Sequence, residues 1–155
     1  MVTEDFKKVA VSFAGGDGGN PNSDVWFCGL EWGIGDEASP DDFYKKFSLS
    51  PKLIPHSWLE DDFDGSWTTQ YNQKLCWFLW YYYNLDWKSG ESYEYFVSTY
   101  NVLYPQGIGF KLNMLPINFK NRASIQWNEQ FIKMTGFETF DEYREWCVEN
   151  RGAFY

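Results

Sequence analysis

The sequence predicts an α/β fold in which a small parallel sheet has helices packed around it. Two short apolar runs with strand character, at 23–33 and 109–118, are bounded by glycine or proline. The segment between them repeats its apolar residues at helical spacing, as does the segment after the second run. Because a helical segment joins the two runs, we expect two parallel strands connected by a crossover.

The first strand is predicted to be buried and to deliver Glu31 to a tight turn. Its apolar residues end abruptly at Gly29 and Gly33, which flank Glu31. Glycine lets a ligand approach the backbone closely, and the carboxyl end of a strand is where open α/β sheets place their sites. The turn at 29–33 is therefore the first candidate site.

Helices are predicted from apolar spacing and from capping residues. Ser39 and Thr139 are typical N-cap residues, and Gly136 is typical of a left-handed stop. The helix at 66–84 has apolar residues on every face from Cys76 onward, so we expect it to be central and covered on all sides. The predicted helices are about 39–47, 66–84, 91–102, 123–134 and 139–150.

Two parallel strands with unpaired edges are a poor core for a chain of 155 residues. Three solutions stay open: residues 9–14 add a third strand, the chain continues beyond Tyr155, or a partner covers the edge. A further copy of the chain is one such partner, so an oligomer is compatible with the pattern. Residues 15–23 and 48–65 are predicted as loops because glycine, proline or acidic residues dominate them.

Length and composition predict a single domain over residues 1–155, with 44% hydrophobic and 22% aromatic residues. The net charge of −9 is uneven, since residues 1–65 carry 13 Asp and Glu against 5 Lys and Arg. This acidity argues against strong non-specific binding to polyanions. It favours a discrete basic strip in the second half of the chain, or a basic protein partner.

Cysteine and histidine usage indicates neither a metal site nor a cofactor. Cys28, Cys76 and Cys147 lie far apart, and His56 is the single histidine. The apolar neighbours of Cys28 and Cys76 favour reduced, buried thiols in a cytoplasmic protein. No leader is evident, and the longest apolar run, 75–83, is too short to span a bilayer, so no membrane contact is expected.

The first turn and the second strand together resemble the N-terminal half of the uracil-DNA glycosylase superfamily. The resemblance rests on Gly29-Leu30-Glu31-Trp32-Gly33 and on Phe110-Lys111-Leu112-Asn113, roughly eighty residues later. It implies an incomplete form of that superfamily's three-layer fold, or the N-terminal half of a larger glycosylase-like domain.

The resemblance implies a protein of DNA repair that binds or excises a flipped base, either uracil or a modified base. Glu31 would hold the attacking water as the catalytic residue, and Asn113 would pair with the edge of the base. The other implied contacts are Gly29, Leu30, Phe43 and Tyr44 with the base, and Lys120 and Arg122 with DNA phosphates. The superfamily's DNA-entering loop has no counterpart, so we expect no release of free base at a meaningful rate.

Ordinary structural roles stay open for the same residues. Glu31 is also compatible with a turn carboxylate that accepts backbone N–H bonds, and Asn113 with an amide that satisfies backbone groups at a strand end. Phe43 and Tyr44 are also compatible with a place in the core.

Two other functions stay open as well. The alternative to base recognition is a non-enzymatic acidic interaction protein or DNA mimic, in which Asp61, Asp62 and Asp64 face a basic partner. A sugar-binding or sugar-cleaving module ranks last. Acidic residues among Trp and Tyr suit carbohydrate, but no motif places a pair of catalytic carboxylates.

Overall fold

The computed structural model describes residues 1–14, 18–29, 51–55, 57, 70–88, 90–117 and 127–153. Its elements, in chain order, are α1 (Glu4–Ala10), β1 (Gly18–Gly19), β2 (Trp26–Gly29), α2 (Gln70–Tyr82), α3 (Tyr93–Tyr100), β3 (Phe110–Asn113), α4 (Glu129–Thr135) and α5 (Phe140–Gly152). The predicted α/β class is therefore confirmed.

The three strands form a mixed sheet in the order β1-β3-β2. β2 and β3 are parallel, because the Phe110 N–H donates to the Val25 carbonyl at 3.0 Å and the Met114 N–H donates to the Gly29 carbonyl at 2.8 Å. α2 and α3 lie between these strands in the sequence. The predicted parallel pair with a helical crossover is thus confirmed.

The third strand comes from the glycine-rich segment and not from residues 9–14. β1 pairs antiparallel with β3, whereas Val9 and Ala10 are fully buried in the last turn of α1. The alternative in which residues 9–14 add a third strand is therefore excluded, because a short apolar run fits a helix face equally well. Here the Thr3 hydroxyl accepts the Phe6 N–H at 3.3 Å and begins a helix just upstream.

The chain divides into two compact units. The first unit comprises Met1–Gly16, Gly29–Ile54 and Asn113–Tyr155, and the second comprises Asp17–Cys28 and Pro55–Leu112. Each unit has its own hydrophobic core. The single domain over residues 1–155 stays a prediction.

The core of the first unit draws on α1, α4, α5 and the segment after β3. Its buried members are Phe6, Ala10, Leu115, Ile117, Phe131, Phe137, Tyr143 and Cys147.

Gly136 ends α4 with φ of 83°, as predicted. α4 begins at Glu129, where the Asn128 side chain caps it by accepting two backbone N–H bonds, and the predicted start near Ala123 lies outside the described residues. The predicted cap of α5 is confirmed, since the Thr139 hydroxyl accepts the Glu142 N–H at 3.2 Å.

The core of the second unit lies between α2, α3 and the neighbouring strands. Its buried members are Val25, Leu75, Cys76, Leu79, Phe96, Val97, Val102 and Leu103. The Ser92 hydroxyl begins α3 by accepting the Tyr95 N–H at 3.2 Å, and Asn101 ends it with a left-handed φ of 50°. The helices predicted at 66–84 and 91–102 are confirmed as Gln70–Tyr82 and Tyr93–Tyr100, and residues 66–69 lie outside the described residues.

The sequence predicted that α2 would be covered on all sides, and the structure shows that it is not. Trp77 and Phe78 are 56% and 50% exposed, and Tyr81 is 84% exposed. The prediction is wrong because α2 packs its core face on α3 and leaves the rings of its opposite face in solvent. Two of those rings, Phe78 and Tyr82, stack on each other at 5.8 Å between centroids.

Two further predictions concern the segment before α2. The predicted helix at 39–47 lies outside the described residues. Within the predicted loop at 48–65, residues 51–55 and 57 are described, and they contain no helix or strand.

Candidate functional site

The candidate site lies at the carboxyl ends of β2 and β3. Gly29 and Asn113 are the last residues of these two strands. The Met114 N–H donates to the Gly29 carbonyl at 2.8 Å, and Met114 directly follows Asn113. The structure therefore brings Gly29 and Asn113 together at one end of a parallel pair, as their order in the sequence predicts.

Asn113 is almost completely buried, with 2% of its surface exposed. Its backbone carbonyl accepts a hydrogen bond from Arg151 Nε at 2.8 Å, which fixes the end of β3. A side-chain amide offers donors and an acceptor together, and reading the edge of a base requires both. Neighbouring side chains must move aside before a ligand can reach this amide.

Arg151 holds this end of the sheet together, and the sequence prediction did not include it. It is fully buried, and its guanidinium donates to the backbone carbonyls of Asn113, Ala10, Ser12 and Ala14. The bond to the Ser12 carbonyl is 2.9 Å long. Three of these carbonyls lie at or just beyond the end of α1, where helix carbonyls lack intrahelical partners. One buried cation thus satisfies several acceptors that would otherwise be unpaired.

A pattern in the sequence could have identified Arg151. Tyr143, Cys147 and Arg151 are spaced four residues apart on α5, so they share one helix face, and all three are fully buried. A basic residue in the last turn of a helix is usually a solvated partner of the helix dipole. The position of Arg151 in the last turn therefore suggests a solvated side chain, whereas its helix face indicates a buried one.

Burial keeps two groups of this face, the Tyr143 hydroxyl and the Cys147 thiol, neutral near pH 7. The Tyr143 hydroxyl accepts the Ile117 N–H at 3.2 Å. Burial raises the pKa of Tyr143 well above its usual value and raises the pKa of the Cys147 thiol to about 12, against a smaller opposite effect of the Arg151 charge. Neither group is poised to act as a base or nucleophile near neutral pH, so this face of α5 is structural.

Six of the predicted site residues lie outside the described residues. They are Glu31, predicted to be catalytic, Leu30, Phe43 and Tyr44, predicted to contact the base, and Lys120 and Arg122, predicted to contact phosphates. Their roles stay predictions.

β2 is not the buried strand that the sequence predicted. Its side chains alternate between exposed and half-buried, with Trp26 38% exposed and Cys28 exposed. In the described sheet β2 has a neighbour on one side, since β3 lies between it and β1. A strand in that position is not enclosed by the sheet. The prediction of a buried Cys28 thiol is therefore wrong, whereas Cys76 is buried as predicted.

The second unit contains a separate concave surface that the sequence prediction did not identify. An open groove of about 450 Å³ is lined by Trp77, Trp80, Trp87, Lys88, Gly90, Glu91 and Tyr93. We call it the tryptophan groove. Its rings come from α2, from the segment that follows, and from the first turn of α3. The sequence shows their spacing but not their convergence.

The chain matches no protein-family model, no curated protein and no solved structure. Fold and site together define a small α/β protein with a mixed three-stranded sheet.

No helix within the described part of the chain is long and apolar enough to cross a membrane. The same residues contain no group of three or more His, Cys, Asp or Glu side chains arranged to hold a metal ion.

Proposed function

We propose that the carboxyl end of the β2–β3 pair recognises a flipped base, uracil or a modified base, in single-stranded DNA. The supporting observation is the hydrogen bond from the Met114 N–H to the Gly29 carbonyl. It sets a register in which Gly29 and Asn113 end neighbouring parallel strands. The resemblance to uracil-DNA glycosylases requires this arrangement of its two motifs.

The chemistry of the two residues suits that role. Gly29 has no side chain and is half-buried, so a planar ligand can lie close to its backbone. Asn113 brings an amide, and the bond from Arg151 to its carbonyl holds the backbone of that amide in place. A recognition group whose backbone is already fixed loses less entropy when a ligand binds.

The proposed activity is recognition with little or no excision. The resemblance implies that Glu31 holds the water that would attack the sugar. The sequence contains no counterpart of the loop with which the superfamily enters DNA. The purified chain should therefore release no appreciable uracil from single-stranded DNA. Robust release that is abolished in Glu31→Gln would show that the chain is an active glycosylase.

Fluorescence anisotropy with labelled oligonucleotides tests the proposal. One single-stranded oligonucleotide carries a single uracil, and its control carries cytosine at the same place, because cytosine has an amino donor where uracil has the O4 acceptor. A base edge read by hydrogen bonds should give about a tenfold preference for one oligonucleotide over the other. Asn113→Ala should remove that preference.

Asn72→Ala is the matched control, because Asn72 is also a buried asparagine, 7% exposed, but it lies on α2. This variant should keep the preference, and circular dichroism shows whether each variant is folded. Equal affinity of the unchanged protein for the two oligonucleotides would refute base recognition, whatever the variants do. Absence of DNA binding would also refute it and would favour the acidic interaction protein.

A further inference from the structure

We propose that the tryptophan groove of the second unit binds a neutral carbohydrate, with a pyranose ring seated against its indoles. This site uses none of the residues assigned to base recognition. It follows from the exposure, the mutual geometry and the polar rim of the groove.

The first observation is that large rings of the groove remain accessible to solvent. Trp77 is 56% exposed, and Trp80, Trp87 and Tyr93 are half-buried. Apolar surface left in water forgoes about 25 cal/mol per Å². Contiguous apolar surface of this kind, in a concavity of about 450 Å³, is typical of a ligand site.

The second observation is the orientation of the three indoles. Their centroids are 6.0 Å apart for Trp77 and Trp80, 6.2 Å for Trp77 and Trp87, and 6.4 Å for Trp80 and Trp87. The corresponding interplanar angles are 86°, 74° and 81°. The rings are thus close to mutually perpendicular, and the groove has flat apolar walls in several directions. A pyranose ring has C–H groups on its faces and hydroxyls around its rim, which matches apolar walls with a polar border.

The walls of the groove are held in place before any ligand binds. Trp77 Nε1 donates to the Tyr93 hydroxyl at 2.7 Å, which ties α2 to the start of α3. Trp87 packs on the fully buried Phe96 with centroids 4.6 Å apart. The Glu91 carboxylate accepts the Lys88 backbone N–H at 2.9 Å and fixes the rim. A preformed groove binds with a smaller loss of side-chain entropy.

The rim determines which ligand class is favoured. Lys88 contributes hydrogen-bond donors and Glu91 contributes acceptors, and their charges offset each other. A sugar hydroxyl donates and accepts, so it can use both. A methylated ammonium ion, another guest of aromatic cages, and a phosphate would each lose hydration and meet one like charge at the rim, with no net attraction in return. A neutral polyhydroxyl ligand avoids both costs.

Isothermal titration calorimetry, with tryptophan emission as a second readout, tests the proposal. The probes are neutral oligosaccharides of glucose, mannose, xylose and N-acetylglucosamine, each titrated into the full chain. At least one series should bind and change the tryptophan emission. Trp77→Ala should weaken that binding about tenfold or more, and Trp77→Phe should weaken it less because a ring face remains.

Tyr81→Ala is the matched control, because Tyr81 is an 84% exposed aromatic residue on the same helix that does not line the groove. This variant should bind like the unchanged chain. Binding of none of the oligosaccharides, or equal binding by Trp77→Ala, would overturn the proposal. Preferential binding of tetramethylammonium chloride would also overturn it, since the groove would then be a cation cage.

Discussion

The two units differ in where they place their unusual side chains. The first unit buries a charged group, Arg151, and surrounds it with backbone carbonyls. The second unit leaves large rings in water, with Trp77 and Tyr81 as the clearest cases. A buried and satisfied arginine indicates a structural role, because removing it would leave acceptors unpaired. Exposed rings around a concavity support a role in binding, because their accessible surface is open to a ligand.

This contrast separates the residues that hold the protein together from those that are available to a ligand. In the first unit, Asn113 belongs to both groups, since its carbonyl is held by Arg151 while its amide is the proposed contact to a base. In the second unit, Trp77 is available to a ligand and contributes its surface mainly to the groove.

The largest effect is expected when Arg151 is replaced by methionine. Arg151→Met keeps much of the side-chain volume but leaves four buried carbonyls without their donor. We expect the free energy of unfolding to fall by about 3–5 kcal/mol. Denaturant unfolding followed by circular dichroism measures it.

Arg144→Met is the control on the same helix. The Arg144 side chain is 35% exposed and pairs with Asp141 at 3.2 Å, so its loss should cost less than about 1 kcal/mol. If Arg151→Met were as mild as Arg144→Met, the buried guanidinium would not hold the first unit together, and the contrast between the units would fail.

The helices could be predicted because local signals determine them. Thr139, Gly136 and Ser92 set helix ends through short-range backbone bonds that their sequence positions already indicate. The parallel pairing could also be predicted, since a long helical crossover does not suit an antiparallel hairpin. The juxtaposition of Gly29 and Asn113 followed from that pairing.

What could not be predicted depends on contacts between distant segments. Sequence patterns did not show that the glycines of β1 would supply the third strand, or that β2 would have a neighbour on one side in the described sheet. They did not show that Arg151 would meet carbonyls near residue 12. The high aromatic content suggested a covered α2, but aromatic rings serve in cores and in binding surfaces, and composition does not distinguish the two.

A smaller effect is expected from Gly19→Ala in the second unit. Gly19 has φ of 100°, and a Cβ there would lie 2.5 Å from the Gly109 carbonyl oxygen. The substitution should lower the free energy of unfolding by about 2–4 kcal/mol, from backbone strain together with a clash inside the sheet. Thermal or denaturant unfolding measures the loss.

Gly90→Ala separates the two causes, because Gly90 has the same φ of 100° and a Cβ there would meet no atom within 4 Å. It should show the strain alone and cost about 1–2 kcal/mol. Equal costs at the two positions would mean that the close approach of β1 to β3 does not constrain the second unit.

The smallest effect tests a property that the two units share. Burial raises the pKa of Cys76 in the second unit and of Cys147 in the first to about 12, from the usual 9.0. The folded state therefore retains protons that the unfolded state releases above pH 9, so stability falls as the pH rises from about 9 towards 12. Each thiol should contribute a slope of about 1.4 kcal/mol per pH unit in that range. Urea unfolding between pH 9 and pH 11 measures this slope, and Cys76→Ala and Cys147→Ala should each reduce it. If only one of the two buried-thiol variants reduced the slope, burial would not act alike in the two cores, and the difference between the units would extend to their interiors.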